Sequence, residues 1–241
     1  MKRVLFVLSV LSLLTSAFST PLFASTAWTD WTSATRYDAS PWSGPGVAMG
    51  TLNAVSVSYA GDIHYGTRVD GTFEYWLPDS TYIGGSVSTT PNSVKDIIGI
   101  AGGNTDINII NFSSPITNPV FAIWSLGSSG NFGSIEITAS FNFIDVIPIY
   151  RAGGPGIYDW SLPFTGSSIT VSGNNVYGTE SYGVVQFIGT YNSISWTNPA
   201  YEAWYGFTVG ANVNPVPIPG AVWLLGSGLI GLIGLRRKFR K

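Results

Sequence analysis

The eight residues Pro119-Val-Phe-Ala-Ile-Trp-Ser-Leu126 carry apolar side chains at both odd and even positions, between Asn118 and Gly127-Ser-Ser-Gly130. A run this short, closed by turn residues on each side, reads as a strand rather than a helix. Apolar side chains on both faces of a strand need a cover on each face, so this stretch is a central strand of a layered protein. Its neighbours obey the simpler rule of alternation. Leu52 to Tyr59, Thr72 to Leu77 (with Phe73, Tyr75 and Leu77 on one face), Asp106 to Phe112 and Ile135 to Phe143 each alternate. Ser168 to Ser172, Val184 to Thr190, Ser193 to Trp196 and Trp204 to Val209 complete the set, with Gly189-Thr-Tyr-Asn192 as a turn. Gly, Asn, Ser and Pro separate these runs, and the adjacent Ile109 and Ile110 suggest a bulge. Some nine or ten strands without a twenty-to-fifty-residue repeat predict an all-β fold, a jelly-roll-like antiparallel two-sheet sandwich.

Charge excludes one class of partner. Only Arg36, Arg68, Lys95 and Arg151 stand between the cationic ends, against thirteen acids, a net charge of −9 over that stretch. Such a surface does not hold a phosphate backbone, so nucleic acid is not an expected partner. Cysteine is absent, which removes disulfides and thiolate metal sites.

The ends read as targeting segments. Lys2 and Arg3 precede an apolar core, Val4 to Leu14, and then small residues up to Ala24, the order of a secretory signal peptide over 1–24. Cleavage is expected after Ala24, with Ser19 (and Ala17 behind it) as the alternative. The ectodomain would then span 25–211, and the Pro-containing stretch 212–219 would act as an extended linker. Gly220 to Leu235 has no charge, and as a helix its sixteen residues reach about 24 Å at ~1.5 Å per residue. That is short for a hydrocarbon core of about 30 Å unless flanking residues join the span. Ser227, Gly228, Gly231 and Gly234 give the helix a smooth face suited to a close-packed membrane partner. The cations of 236–241 place the C-terminus in the cytoplasm by the positive-inside rule.

The order of the tail carries more than an anchor needs. Val216, Pro217, Ile218, Pro219 and Gly220, then the apolar helix, then Arg236, Arg237 and Lys238 resemble the PEP-CTERM sorting signal of Gram-negative bacteria in its Val-Pro-x-Pro variant. The resemblance covers about the last 26 residues. It implies recognition by exosortase, a membrane protease of cysteine type, at the inner membrane, then release to the cell surface or the extracellular matrix of a biofilm-forming organism. Ile218 stands where Glu is usual and Gly220 where Ala is common, which leaves the exosortase subtype open.

The middle section displays little chemistry. His64 is the sole histidine, within Gly61-Asp-Ile-His-Tyr-Gly66, and no Gly-x-Ser-x-Gly elbow accompanies it. Glu136, Glu180 and Glu202 are the acids from which a glycoside hydrolase would draw a pair. In the strand at 135–137, Ile135 and Ile137 are expected to face the core and Glu136 the other side. Asp62 and Gly103-Asn-Thr-Asp-Ile-Asn108 offer oxygen donors that suit a structural calcium, but without an Asp-x-Asp-x-Asp-Gly loop no metal is assigned and no cofactor is expected. Trp124 and Trp204 sit in strands and read as core. Trp28, Trp31 and Trp42, ahead of the first clear strand, are the candidate platform for stacking on sugar rings. These readings describe an exported surface or matrix protein with a non-catalytic ectodomain. Two alternatives stand beside it: a carbohydrate-binding module for extracellular polysaccharide, and a glycan-active hydrolase.

Overall fold

Two strands of unusual length organise the protein. In the computed structural model, which describes residues 25–38, 42–130, 135–156 and 166–213, β5 runs over Ile98–Thr117 and β15 over Thr190–Val213. The remaining strands are β1 (Ser25–Trp28), β2 (Asp30–Arg36), β3 (Ser43–Leu52), β4 (Val55–His64), β6 (Val120–Leu126) and β7 (Ser128–Ser129). They continue with β8 (Glu136–Ile137), β9 (Ala139–Ile144), β10 (Pro148–Gly154), β11 (Ser167–Ser168), β12 (Thr170–Ser172), β13 (Asn175–Gly178) and β14 (Ser181–Phe187). Among the described residues one α-helical turn, α1 (Asp79–Tyr82), and a 3-10 turn at Pro91–Ser93 lie in the β4–β5 connection. The expected antiparallel all-β class is met. Thirteen strands form one sheet of order β10-β14-β6-β15-β5-β4-β3-β2 with side branches, antiparallel except for the short β11–β14 pair. Strands β7 and β8 pair separately.

The sheet doubles over along the β5–β15 pair. The first part of β15 is bonded to the last part of β5 (Ser193 opposite Asn111) and to β9 (Trp196 opposite Phe143). Its last part is bonded to the start of β5 (Phe207 opposite Ile98), to β6 (Phe207 opposite Ile123) and to β1 (Gly210 opposite Trp28). Between these parts the register shifts at Trp196/Asn198, Asn198/Tyr201 and Tyr201/Tyr205. Extra residues on one strand bend it and increase its twist, which carries the pair round the corner. Rings from the two halves then meet. Phe121 of β6 lies 5.3 Å from Phe141 and 5.2 Å from Trp196, and Phe207 lies 5.0 Å from Trp196 and 5.1 Å from Tyr59.

Every residue of β6 is buried. Phe121, Ile123 and Leu126 enter the core between the halves, while Val120, Ala122 and Trp124 face a second cluster with Tyr75, Trp76, Tyr82 and Val87 of the β4–β5 connection. That connection is the cover required by the outer face of β6. It is tied down by Asp96, whose carboxylate accepts the amides of Trp31 (2.8 Å) and Gly71 (3.1 Å).

Several expectations change. Residues 72–77 are not a strand: Tyr75 and Trp76 are adjacent and both buried, as an irregular segment lying across a sheet permits. Ile135 is 79% exposed rather than core-facing, because the strand there is only Glu136–Ile137 and breaks before β9. The segments 193–196 and 204–209 belong to one strand. Ile109 and Ile110 pair in regular register with Ser195 and Ile194, so no bulge lies between them. Asn212 and Val213, assigned to the linker, end β15 opposite Thr26 and Ser25. The signal segment 1–24 with both cleavage positions, the motif 216–220, the helix 220–235 and the tail 236–241 lie outside the described residues. Among the described residues no helix is long and apolar enough to cross a membrane.

Because Phe121 touches rings from both halves, Phe121→Ala should remove about 3–5 kcal/mol of stability. The exposed Ile107→Ala should stay within about 0.5 kcal/mol of the wild type. Urea unfolding of residues 25–213 followed by tryptophan fluorescence checks both values.

Candidate functional site

The β3–β4 ladder ends with Ser43 opposite His64. One step further the Tyr65 amide donates to the Trp42 carbonyl at 3.0 Å, so the two side chains come off the end of the hairpin together. Their ring centroids are 5.8 Å apart, tilted at 56°, and each residue is 57% exposed. Large aromatic rings left this open at the end of a rigid hairpin form a ledge. Beside it a cleft of about 280 Å³ is lined by Arg36, Asp38, Ile63, His64, Tyr65 and Val69, among others.

His64 forms the underside of the ledge. Its ring is buried, 4.3 Å from Tyr65 on one side and stacked at 5.7 Å and 16° on Trp204 on the other. Nδ1 accepts the Gly66 amide at 3.0 Å, which places the proton of the neutral ring on Nε2. Nε2 has no partner among the described residues. Burial first, then the Arg36 and Arg68 charges, lower its pKa to about 4. Arg36 donates from Nη1 to the Trp42 carbonyl (3.3 Å) and from Nε to the Asp38 carbonyl (3.3 Å), with the Asp38 carboxylate at 3.6 Å. Arg68 donates from Nη1 to the carbonyls of Tyr65 (3.1 Å) and Thr67 (3.0 Å). Both guanidiniums therefore brace the backbone that presents the ledge.

Trp204 reaches His64 because β15 bulges. Tyr201 faces Gly102 and Tyr205 faces Ile100, leaving Glu202, Ala203 and Trp204 opposite Ala101 alone. Trp204 also packs 4.8 Å from Trp124 and 5.5 Å from Tyr75. A Cβ at Gly66 would lie 2.6 Å from the Trp204 ring, so only glycine lets the chain pass over that indole.

The structure separates the candidates proposed from sequence. Trp28 and Trp31 are not a platform: they are 3% and 0% exposed, with Nε1 bonded to the Thr89 carbonyl and to Thr208 Oγ1. Residues 25–36 are paired strands with faces against the two cores, which local composition conceals. Trp42 alone of the three is open. Asp62 and Asn108 do come together, but for the backbone. Asp62 Oδ2 accepts the amides of Ala101 (2.8 Å) and Gly102 (3.1 Å), and Asn108 Oδ1 accepts Tyr59 Oη (2.6 Å) and the Asp62 amide (2.9 Å). With Asn104 and Asp106 they border a groove of about 460 Å³. No three acidic or histidine side chains converge as a metal site among the described residues.

Glu180 and Glu202 converge and Glu136 does not. Glu180 Oε1 accepts Ser125 Oγ (2.6 Å) and Tyr182 Oη (2.7 Å), and Glu202 Oε2 accepts the Gly127 amide (3.0 Å). Burial, then the Glu180 charge, raise the Glu202 carboxyl well above its ordinary range. Both acids are buried, whereas Glu136 is exposed on β8. A glycosidase pair flanks a bond in an open cleft. These three side chains do not make that arrangement. Sequence reasoning singled out His64 but missed Tyr65, Arg36 and Arg68; the aromatic residue directly after the sole histidine was the available signal. Comparison of the chain with family models, curated proteins and solved structures finds no match.

The lowered His64 pKa has a sign. The folded state excludes a proton that the unfolded chain binds at about pH 6.5, so this contribution is complete above that pH and is lost as pH falls toward 4. Asp96, raised to about 6 by burial, acts in the opposite direction over much of the same window. The difference between His64→Gln and wild type isolates the histidine. Relative to that difference at pH 7.5, the variant should gain roughly 1–2 kcal/mol by pH 4.5. Urea midpoints measured across this range check it.

Proposed function

We propose that this chain is an exported cell-surface or matrix protein whose non-catalytic ectodomain binds extracellular polysaccharide at the Trp42–Tyr65 ledge. The observation that carries the reading is the pair of open rings, 5.8 Å apart, held at a hairpin end beside a cleft. Sugar rings present flat C–H faces that pack on aromatic rings, and rings already fixed lose little freedom on binding. The burial of Glu180 and Glu202 supports binding over hydrolysis. The doubled antiparallel sheet fits a jelly-roll-like sandwich ectodomain. The order of segments along the sequence supports the rest: a signal helix at 1–24, the Val216 to Gly220 motif, a transmembrane helix at 220–235 and the Arg236, Arg237, Lys238 stop. In this reading exosortase meets the motif at the inner membrane of a Gram-negative bacterium and releases the ectodomain outward.

Two experiments test the two halves. On a glycan array, purified protein should bind at least one polysaccharide, and Trp42→Ala or Tyr65→Ala should weaken that binding about tenfold, or about 1.4 kcal/mol. Equal binding by both variants would remove the ledge from function, and silence of the wild type across the array would leave a structural matrix module.

For the tail, Pro217→Ala with Pro219→Ala lets the apolar helix extend through the motif, because proline is what keeps that segment non-helical. Full-length protein should then accumulate in the inner membrane of an exosortase-positive host, while wild-type protein loses its tail there and keeps it in an exosortase-deleted host. Mass spectrometry of an epitope-tagged chain reads the outcome. A wild type that keeps its tail in both hosts makes it a plain anchor.

A further inference from the structure

The cleft beside the ledge departs from the charge of its surroundings. Of the four cations between the ends of the chain, Lys95 is paired with Glu74 at 2.6 Å and Arg151 is bonded to Gln186 at 2.8 Å. Of the other two, Arg36 stands in this cleft and Arg68 lies next to it, its guanidinium 5.8 Å from the Phe73 ring, in a stretch that otherwise carries thirteen acids. Arg36 lines it, and Arg68 is bonded to the backbone of Tyr65 and Thr67, which line it as well. Each guanidinium uses only part of its donor set on these bonds, and arginine's planar fork suits a carboxylate. One acid, Asp38, also lines the cleft. Its carboxylate sits 3.6 Å from Arg36 Nε.

We propose that this cleft is a subsite for a uronic acid, so that the ledge selects acidic polysaccharide over neutral polysaccharide. The inference rests on the carbohydrate reading above and adds the class of sugar. The ring of the sugar lies on Tyr65 and Trp42, and its carboxylate enters the cleft toward Arg36 and Arg68, competing with Asp38 for Arg36. The aromatic ledge alone would take either kind of sugar, since stacking needs only the C–H face. Selection comes from the arginines, and because the rest of the domain repels anions, attraction is confined to this spot. The bond therefore weakens with salt more steeply than stacking does.

The test uses the full chain in detergent, in EDTA, with alginate and polygalacturonate, each beside its own carboxyl-reduced form. Expected is at least tenfold tighter binding to the acidic member of one pair, a preference that shrinks between 50 mM and 500 mM NaCl. Arg36→Gln with Arg68→Gln should bring the two members of the pair within about twofold of each other, whatever the loss of the backbone bracing costs both. The charge-keeping Arg36→Lys with Arg68→Lys should restore part of the preference, which separates lost charge from lost folding. Equal binding to acidic and reduced forms, abolished by Trp42→Ala, overturns the uronate subsite and leaves the carbohydrate reading standing. Binding to neither form overturns both. A preference that survives the Gln double variant, or equal affinity for dextran sulfate, overturns the assignment of selectivity to this cleft.

Discussion

The antiparallel ladder between β5 and β15 is the constraint on which the rest depends. Strands of twenty and twenty-four residues are far longer than the usual five or six, and they can bury their apolar faces only if the sheet doubles over on them. Doubling breaks the ladder at the corner, and the amides released there must find other acceptors. The polar residues near the corner supply them. Asp62 takes the Ala101 and Gly102 amides, and Asn198 Oδ1 takes Trp196 Nε1 (2.8 Å) and the Asn108 side-chain amide (3.2 Å). Asn198 in turn donates to the Ser140 carbonyl of β9 at 2.8 Å. A buried polar network of this kind stabilises only when its members are satisfied, and these satisfy one another across four strands, β4, β5, β9 and β15.

The corner also places the ledge. The Glu202-Ala203-Trp204 bulge swings Trp204 out of the ladder and onto His64, and His64 supports Tyr65 from below. A run of ring contacts therefore links the open Trp42 to Tyr65, His64, Trp204 and Trp124 in the second core. Rings that rest on a packed interior are pre-organised for a ligand, whereas rings on a free loop would have to be ordered by it. The neutral state of His64 follows from the same packing, since burial and two nearby guanidiniums oppose a third positive charge.

The acid pair illustrates how burial changes the meaning of a residue. Glu180 and Glu202 are brought together at the positive-φ turns of Ser125 and Gly127, where bulged backbone needs acceptors. Their oxygens receive a hydroxyl, a phenol and an amide, which is the work of structural acids. The raised pKa of Glu202 is then a consequence of packing and does not by itself mark a catalytic acid.

Much of the architecture was legible in short-range pattern, because burial on one or both faces of a strand is written directly in the alternation of its side chains. Pro119 to Leu126 announced a strand covered on both sides, and the all-β class followed from it. Asp106 to Phe112 was readable in the same way, but Val184 to Thr190 was only partly so: β14 closes at Phe187 and β15 opens at Thr190, so Thr190 to Asn192 are strand and not the expected turn. The Gly-, Ser- and Thr-rich stretch holding β1, β2 and β3 was not, since small residues satisfy a strand without advertising one. The alternation at 72–77 misled for the opposite reason: pattern reports an extended chain with a buried side, while hydrogen-bond partners decide whether it is a strand. The proposed targeting role of the two ends rests wholly on the sequence, where length, charge and proline position are the entire signal. The burial of Trp28 and Trp31, the exposure of Trp42, and the meeting of Arg36, Arg68 and His64 beside it belong to the tertiary structure. Each depends on which distant strand lies opposite, and that is decided by how the β5–β15 pair bends.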